Sequence, residues 1–501
     1  LDRFASRLEL AEDGPRDAED RQRTLHATIA WSYELLSAHE QTFFARLAVF
    51  ASGWQESDAF AICDLPDPQP SLGLESLLGV SLIERAIDAG EPPRFRMLET
   101  IREFAAERLA ASGEEAALRD RHARHFLAVA ETAERYMPAV RQQDWLERID
   151  REHHNVRAAL AWALTRPNPE LAARLAAALW PYWHEYSHIY EGSSWVSAVL
   201  DLSADGDDLA PALRAELYTA TLTLAFGLAD YERARTYAAA ALPLWEQLDD
   251  GHGQALVLHE LGWTYYALGD MERAIDYFAR AAERWRAIEH VMGLAHGLDT
   301  LGFALATSGR FVEAEGPLEE SARIFTQRGD RLGLARSYAE RGMSALLQGH
   351  LADAIGLLER SVALSRETSN NFILPAALFY LGMARCFAGE LDLALAALAE
   401  SLDHREHNGD KLGLSLTLLG FAAVAHRQGQ LDRAARLSGA ALMLQAAQHI
   451  TMAPTVQVIY EREIQTVRDQ LDPTTFATAF TDGQTMSAAM AVAYAREALS
   501  R

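Results

Sequence analysis

Five glycines, Gly269, Gly309, Gly349, Gly389 and Gly429, stand 40 residues apart, and no other feature constrains the fold of this chain as tightly. With 31 glycines in 501 residues, four further coincidences at that spacing have odds of roughly 10⁻⁵, so the register is a structural repeat. Ala274, Ala314, Ala354, Ala394 and Ala434 keep the same period five residues on, and Ala229 with Ala234 extends it one unit backwards. Ser194, 40 residues before Ala234, marks a more diverged unit. In the second half of one unit, Met271, Ala274, Ile275, Phe278, Ala281, Ala282 and Trp285 recur at helical spacing. A single unit cannot bury such a stripe, so six or seven must stack on one another.

Leu258-x2-Leu261-Gly262-x2-Tyr265 and Ala274-x3-Phe278 follow the tetratricopeptide pattern. Gly262, Gly302, Gly342 and Gly382 then let the first helix of each hairpin approach the second, and Gly269 and its equivalents end the first helix. The spacing predicts a right-handed superhelix over residues 169–450. Pro454 and Asp472-Pro473 break the period, which makes 451–501 a helical cap over the last apolar face.

The first 112 residues carry a different pattern. Leu25–Leu36, Ala38–Phe50 and Leu72–Gly79 read as helices, with Phe43, Phe44, Leu47 and Phe50 on one side of the second. Leu82–Asp88 and Arg94–Leu98 read as strands joined at Ala89-Gly90-Glu91-Pro92-Pro93, and Glu99–Ala111 returns to helix. Helices followed by a β-hairpin is the winged-helix order, assigned to 21–112. Residues 113–168, with Trp145-Leu146-Glu147-Arg148-Ile149, form a helical connector. The expected fold is all-α apart from the wing: a winged-helix module feeding a tetratricopeptide superhelix.

Composition removes several function classes. Cys63 and Cys386 are too few for a disulfide framework or a cysteine zinc site, and a reducing cytoplasm suits them. The longest uncharged apolar run, Leu412–Ala425, is too short to span a bilayer, so no membrane association is expected. Lys411 is the only lysine and is followed by Leu412, so no G-x-x-x-x-G-K-[ST] phosphate loop exists. His184-Glu185-Tyr186-Ser187-His188 matches H-E-x-x-H, but no third zinc ligand follows at the metzincin offset, where Ser194 stands. The chain reads as a non-enzyme. Its net charge is −25, and residues 21–112 hold 8 Arg against 13 Asp or Glu. That balance repels phosphate backbones, so no direct DNA binding by this chain is expected.

Four segments resemble bacterial STAND regulators (signal-transduction ATPases with numerous domains). They are Arg23-Thr24-Leu25-His26-Ala27-Thr28-Ile29-Ala30-Trp31-Ser32-Tyr33-Glu34-Leu35-Leu36-Ser37, Leu47-Ala48-Val49-Phe50-Ala51-Ser52-Gly53-Trp54, Met97-Leu98-Glu99-Thr100-Ile101-Arg102-Glu103-Phe104-Ala105 and Asn155-Val156-Arg157-Ala158-Ala159-Leu160. The resemblance implies an N-terminal nucleotide-binding domain that precedes Leu1, with residues 1–20 as the tail of its helical region. In such proteins that domain binds ADP at rest and ATP when active, and a separate domain acts on promoters. No cofactor is expected in this chain itself.

The tetratricopeptide register places one set of side chains on the concave wall of the superhelix. These are Thr219, Thr223 and Phe226, then His259, Trp263 and Tyr266, then Asp299 and Phe303, Arg336 and Met343, and Phe379 and Met383. Large apolar groups interspersed with a few polar ones fit a surface for a protein partner, a peptide or a small-molecule inducer. The expected function is therefore the sensor and autoinhibitory region of a STAND-type transcriptional regulator. The winged helix would relay binding, through an intramolecular contact, to the ATPase domain. The rival reading is a passive assembly scaffold.

Overall fold

The structure is a computed structural model that describes residues 26–63, 70–86, 93–132, 139–186, 188–203, 209–368, 373–446 and 454–497. The expected tail 1–20 and most of the wing turn at 89–93 lie outside the described residues. Backbone contacts divide the chain between Ala220 and Thr221 into two units.

The first unit opens with α1 (26–34) and α2 (Ala38–Leu47). Ser37 starts α2 by a reciprocal cap: the Glu40 amide donates to Ser37 Oγ (3.4 Å), and the Ser37 amide donates to Glu40 Oε2 (2.7 Å). Next come β1 (Trp54–Gln55), α3 (Glu56–Cys63), α4 (Pro70–Gly79), β2 (Glu84–Ala86), β3 (Arg94–Arg96) and α5 (Glu99–Ser112). Phe43, Phe44, Leu47 and Phe50 are buried as the helical stripe requires, and Trp54 stacks on Phe50 at 5.1 Å. The sheet is three-stranded in the order β1-β3-β2, with Phe95 opposite both Trp54 and Arg85. The sequence reading had two strands and no α3. A two-residue strand carries no alternation to detect; β1 exists because Trp54 must be buried beside Phe95. The unit continues through α6 (Glu115–Ala130), α7 (Ala139–Arg151), α8 (His153–Leu164), α9 (Glu170–Glu185) and α10 (Ile189–Leu202), and the division falls within α11 (Pro211–Gly227).

The second unit stacks helical hairpins of 20-residue half-units. Its helices are α12 (Tyr231–Gln247), α13 (Gly251–Ala267), α14 (Met271–Ala287), α15 (Val291–Thr307), α16 (Phe311–Arg328), α17 (Arg331–Leu347), α18 (Leu351–Glu367), α19 (Ile373–Ala388), α20 (Leu391–His407), α21 (Lys411–Arg427) and α22 (Leu431–Ala446). Aspartates punctuate the halves. Asp250, Asp330 and Asp410 accept from the amides of Gly253, Gly333 and Gly413 at 2.8–2.9 Å, and Asp270 accepts from Arg273 at 3.2 Å. Each such cap is worth about 1 kcal/mol. Gly269 ends α13 at φ 79°, and the other four periodic glycines do the same for their helices. A Cβ on Gly262 would lie 2.5 Å from the Phe278 ring, so only glycine permits that helix contact.

Ala229 occupies the same helix-ending position with φ 58°, where a Cβ is strained. Ala229→Gly is therefore expected to stabilise the second unit by about 0.5–1 kcal/mol, the strain relieved less the extra entropy of glycine. Thermal unfolding of the two proteins side by side checks this; a lower Tm for Ala229→Gly would contradict it.

Successive first helices touch directly, α15 on α17, α17 on α19 and α19 on α21, which puts them on the inner side of the curve. Three more helices end the chain: α23 (Pro454–Gln470), α24 (Pro473–Gln484) and α25 (Ala488–Arg496). Gly439 and Gly483 bring α22 and α24 together backbone to backbone, covering the last hairpin. Helix α23 does something else. It packs on α22 and also touches the first helices α21 and α15.

Candidate functional site

On α13, His259, Trp263 and Tyr266 are spaced one helical turn apart, so they form one stripe on the inner face. Across from them on α15 stands Phe303. Trp263 meets Tyr266 at 5.6 Å and Phe303 at 6.0 Å between ring centroids, and Tyr266 meets Phe303 at 5.4 Å. The back of Trp263 rests on the buried Phe278 of α14 at 5.4 Å. All three inner-face rings are half-buried. His259 Nε2 lies 3.2 Å from Thr300 Oγ1, tying α13 to α15.

Next to the aromatic patch is a buried polar network. Asp299 is 1% exposed; it accepts from Ser321 Oγ (3.2 Å) and from Arg336 Nε (3.0 Å). Arg336 also contacts His296, whose ring is held well below its usual pKa by burial and then by the Arg336 charge. Burial raises the Asp299 carboxyl, against the pull of Arg336. Glu340, one turn beyond Arg336 on α17, is pushed well above the ordinary carboxylate range, first by burial and then by the Asp299 charge beside it. Tyr380 of α19 packs against the apolar cluster that contains Met343, as Tyr266 and Phe303 do. Sequence reasoning selected Asp299 and Arg336 but passed over His296, Glu340 and Tyr380. A charged residue four positions from Arg336 on an otherwise apolar stripe was the available signal.

The remaining expected wall residues divide by exposure. Phe226 and Arg336 are half-buried. Thr219, Thr223, Met343, Phe379 and Met383 are enclosed, at most 2% exposed, and face no open groove. The Thr219 hydroxyl is turned back to the Ala215 carbonyl at 2.8 Å. Phe379 lies under the Arg405 guanidinium, 5.9 Å from its ring centroid, and Met383 packs beside Gly420 of α21. Between α21 and α23 a cavity of about 10 Å³, lined by Leu419, Ala423, His426, Tyr460 and Val467, has room for a single water.

In the first unit, Asn155 of α8 is fully buried and joins α8 to the wing. Its Oδ1 accepts from the Ala51 amide (2.9 Å), while its Nδ2 donates to the Gly53 carbonyl (3.1 Å) and to Glu152 Oε2 (2.7 Å). Glu152 in turn pairs with Arg94 of β3, which also donates to the Gly53 carbonyl at 2.7 Å. The H-E-x-x-H match has no comparable geometry. Helix α9 ends at Glu185, so His184 and His188 do not share a helix face, and the His188 ring stacks on His153 at 4.9 Å. Among the described residues no group of three metal-ligating side chains is placed to hold an ion. No described helix is long and apolar enough to cross a membrane.

Comparison with known proteins agrees with these modules. A winged helix-turn-helix domain family matches residues 36–110, and a tetratricopeptide repeat family matches residues 221–287. A Mycobacterium tuberculosis protein named as an HTH-type transcriptional regulator is 36% identical over 197 residues, 38% of this chain. An uncharacterised M. tuberculosis protein is 32% identical over 125 residues, 24% of this chain. The chain spans only 22% and 31% of those two relatives' lengths. A crystal structure of a STAND protein with a tetratricopeptide repeat sensor, from Pyrococcus horikoshii, superposes with TM-score 0.53 at 16% identity. It covers 90% of this chain and 64% of its own, and shows a shared fold. Both matched domain classes are binding modules, and part of this chain is similar to a protein named as a regulator of transcription. The helix-turn-helix match and the HTH-type relatives overturn the expectation that the chain makes no direct DNA contact. Net charge misled because it sums over a surface, even over the acidic residues 21–112, whereas DNA is met by a few local basic side chains.

Proposed function

We propose that this chain is the sensing and relay part of a STAND-type transcriptional regulator. The half-open aromatic patch of α13 and α15 takes a protein, peptide or small-molecule inducer. The winged helix is the output element, passing the event to a nucleotide-binding domain that cycles between ADP and ATP. The observation that carries this reading is the Asn155 network: α8 cannot shift without moving the 51–53 loop and β3. Trp31 of α1 (64% exposed) and Leu35, just past its end (59%), offer an apolar surface for the nucleotide domain. Ligand binding shifts such a device only by its differential affinity for the two arrangements, typically 1–3 kcal/mol. Exchanging Asn155 and, separately, Trp263 in the complete regulator tests the reading: both changes must alter inducer-dependent transcription. A passive scaffold would respond to neither.

The wing also supplies the DNA contact. Arg85 and Arg96 lie on its strands with their side chains exposed, Arg96 beside Glu84 at 2.7 Å. A gel shift at about 0.05 M salt is expected to show retarded duplex that is released by ~0.2 M, as phosphate contacts require. Arg85→Glu with Arg96→Glu is expected to abolish the retardation; undiminished binding would move the contact off the wing.

A further inference from the structure

We propose that the inner face along α21 is a docking surface for an amphipathic helix with an acidic residue among apolar ones, and that α23 is a strap of this kind which a partner helix displaces. This rests on the inner face being the sensing surface, and names the partner that it fits.

The position of α23 is the first observation. The last hairpin is already covered by α24, brought against α22 at Gly439 and Gly483. A first helix that merely extended the stack would pack on α21 and α22. Helix α23 touches both and also α15, which stands three hairpins before α21. Three steps between neighbouring helices amount to roughly 24–30 Å, and the 17 residues of α23 span roughly 25 Å. Both ends of that path are touched, so α23 crosses the inner face.

The way α23 is held is the second. Among residues 460–470 only Tyr460 and Val467 are buried, whereas α22 buries nine residues. A helix with so little buried surface opens locally before its neighbours do. Polar contacts carry much of the hold. Arg427 of α21 donates to both Glu463 oxygens at 2.9 and 3.2 Å. His426 Nδ1 lies 3.3 Å from Glu463 Oε2, and its Nε2 lies 3.3 Å from Gln470 Nε2. Beside this pairing, Tyr460, Ile464 and Val467 leave the small cavity against α21 unfilled, where a sealed core would be close-packed. Tyr460, Glu463, Ile464 and Val467 fall on one helical stripe. A partner helix with the same stripe sets its acid on Arg427 and its apolar groups in the seam; a basic one is repelled there.

A fluorescein-labelled synthetic copy of residues 454–470, titrated by anisotropy, is the probe. In the wild-type chain the tethered strap competes with it at high effective concentration. Glu463→Arg in the chain repels the strap and leaves the seam intact, so the copy should bind that variant at least about tenfold more tightly. A copy that itself carries Glu463→Arg should bind at least about tenfold more weakly than the unchanged copy. Amide exchange follows the strap directly: residues 460–470 should exchange at least about tenfold faster in Glu463→Arg and return to the wild-type rate when Arg427→Glu is added, with α22 unchanged throughout. The milder Glu463→Gln should move both readouts the same way by a smaller factor. Equal affinity of the copy for wild type and Glu463→Arg, or unchanged exchange in residues 460–470, would overturn the proposal. In the complete regulator Glu463→Arg should raise promoter activity without inducer. A loosened strap with promoter activity no higher than wild type would overturn its regulatory role, while the transcriptional response of Trp263→Ala decides the sensor reading separately.

Discussion

Asn155→Ala is expected to destabilise the first unit by about 2–4 kcal/mol, because it strands buried polar groups on two elements at once. The Ala51 amide loses its acceptor and Glu152 loses the amide that orients it toward Arg94. Asn155→Asp restores the acceptor but sets a second carboxylate against Glu152, so it should rescue poorly. Urea unfolding gives the magnitude, and amide exchange gives the place. The amides of residues 51–53 should exchange faster in Asn155→Ala while those of α13–α22 stay as in the wild type. A loss below about 0.5 kcal/mol would mean that α8 and the wing are joined by apolar packing alone.

Trp285→Ala is expected to be costlier still, about 3–5 kcal/mol. Trp285 is fully buried at the end of α14, seated on two glycines of α15: a Cβ on Gly293 would lie 2.6 Å from its ring and one on Gly297 2.8 Å. Trp245 over Gly253 and Phe325 over Gly333 repeat the arrangement at the 40-residue period. Trp263 differs in kind. Half-buried rather than enclosed, Trp263 should lose only about 1–2 kcal/mol on truncation to Ala. Thermal melts of the two variants compare them directly; equal losses would make Trp263 a core residue rather than part of a binding surface.

The repeats were legible because their signals are local and recur. A glycine that must adopt positive φ, as at Gly269, or a glycine that must admit a ring, as at Gly262, cannot drift without breaking its hairpin. The winged-helix order was legible from Phe43, Phe44, Leu47 and Phe50 on one helical face. Strand β1 was not, since two residues give no period, and α3 hid between Trp54 and the described start of α4. The candidate site was legible only in part. Trp263, Tyr266 and Phe303 follow from the repeat register, but Phe379 and Met383 are enclosed by Arg405 and by Gly420 of α21, and α23 turns back onto α21 and α15. Nothing in residues 454–470 taken alone announces that return. Glu340 escaped notice because periodicity sorts residues by face, while its place beside Asp299 comes from the packing of α17 on α15. Charge balance was over-applied: neither the −25 of the chain nor the excess of Asp and Glu in residues 21–112 describes the few side chains that a wing presents, such as Arg85 and Arg96.

The most direct test is the promoter response of the complete regulator carrying Trp263→Ala, measured beside the abundance and Tm of the same protein. A folded variant whose transcription is fixed at one level, whatever the inducing condition, is the predicted result. A folded Trp263→Ala regulator that still switches as the wild type does would show that the signal does not enter through the inner face of the repeats.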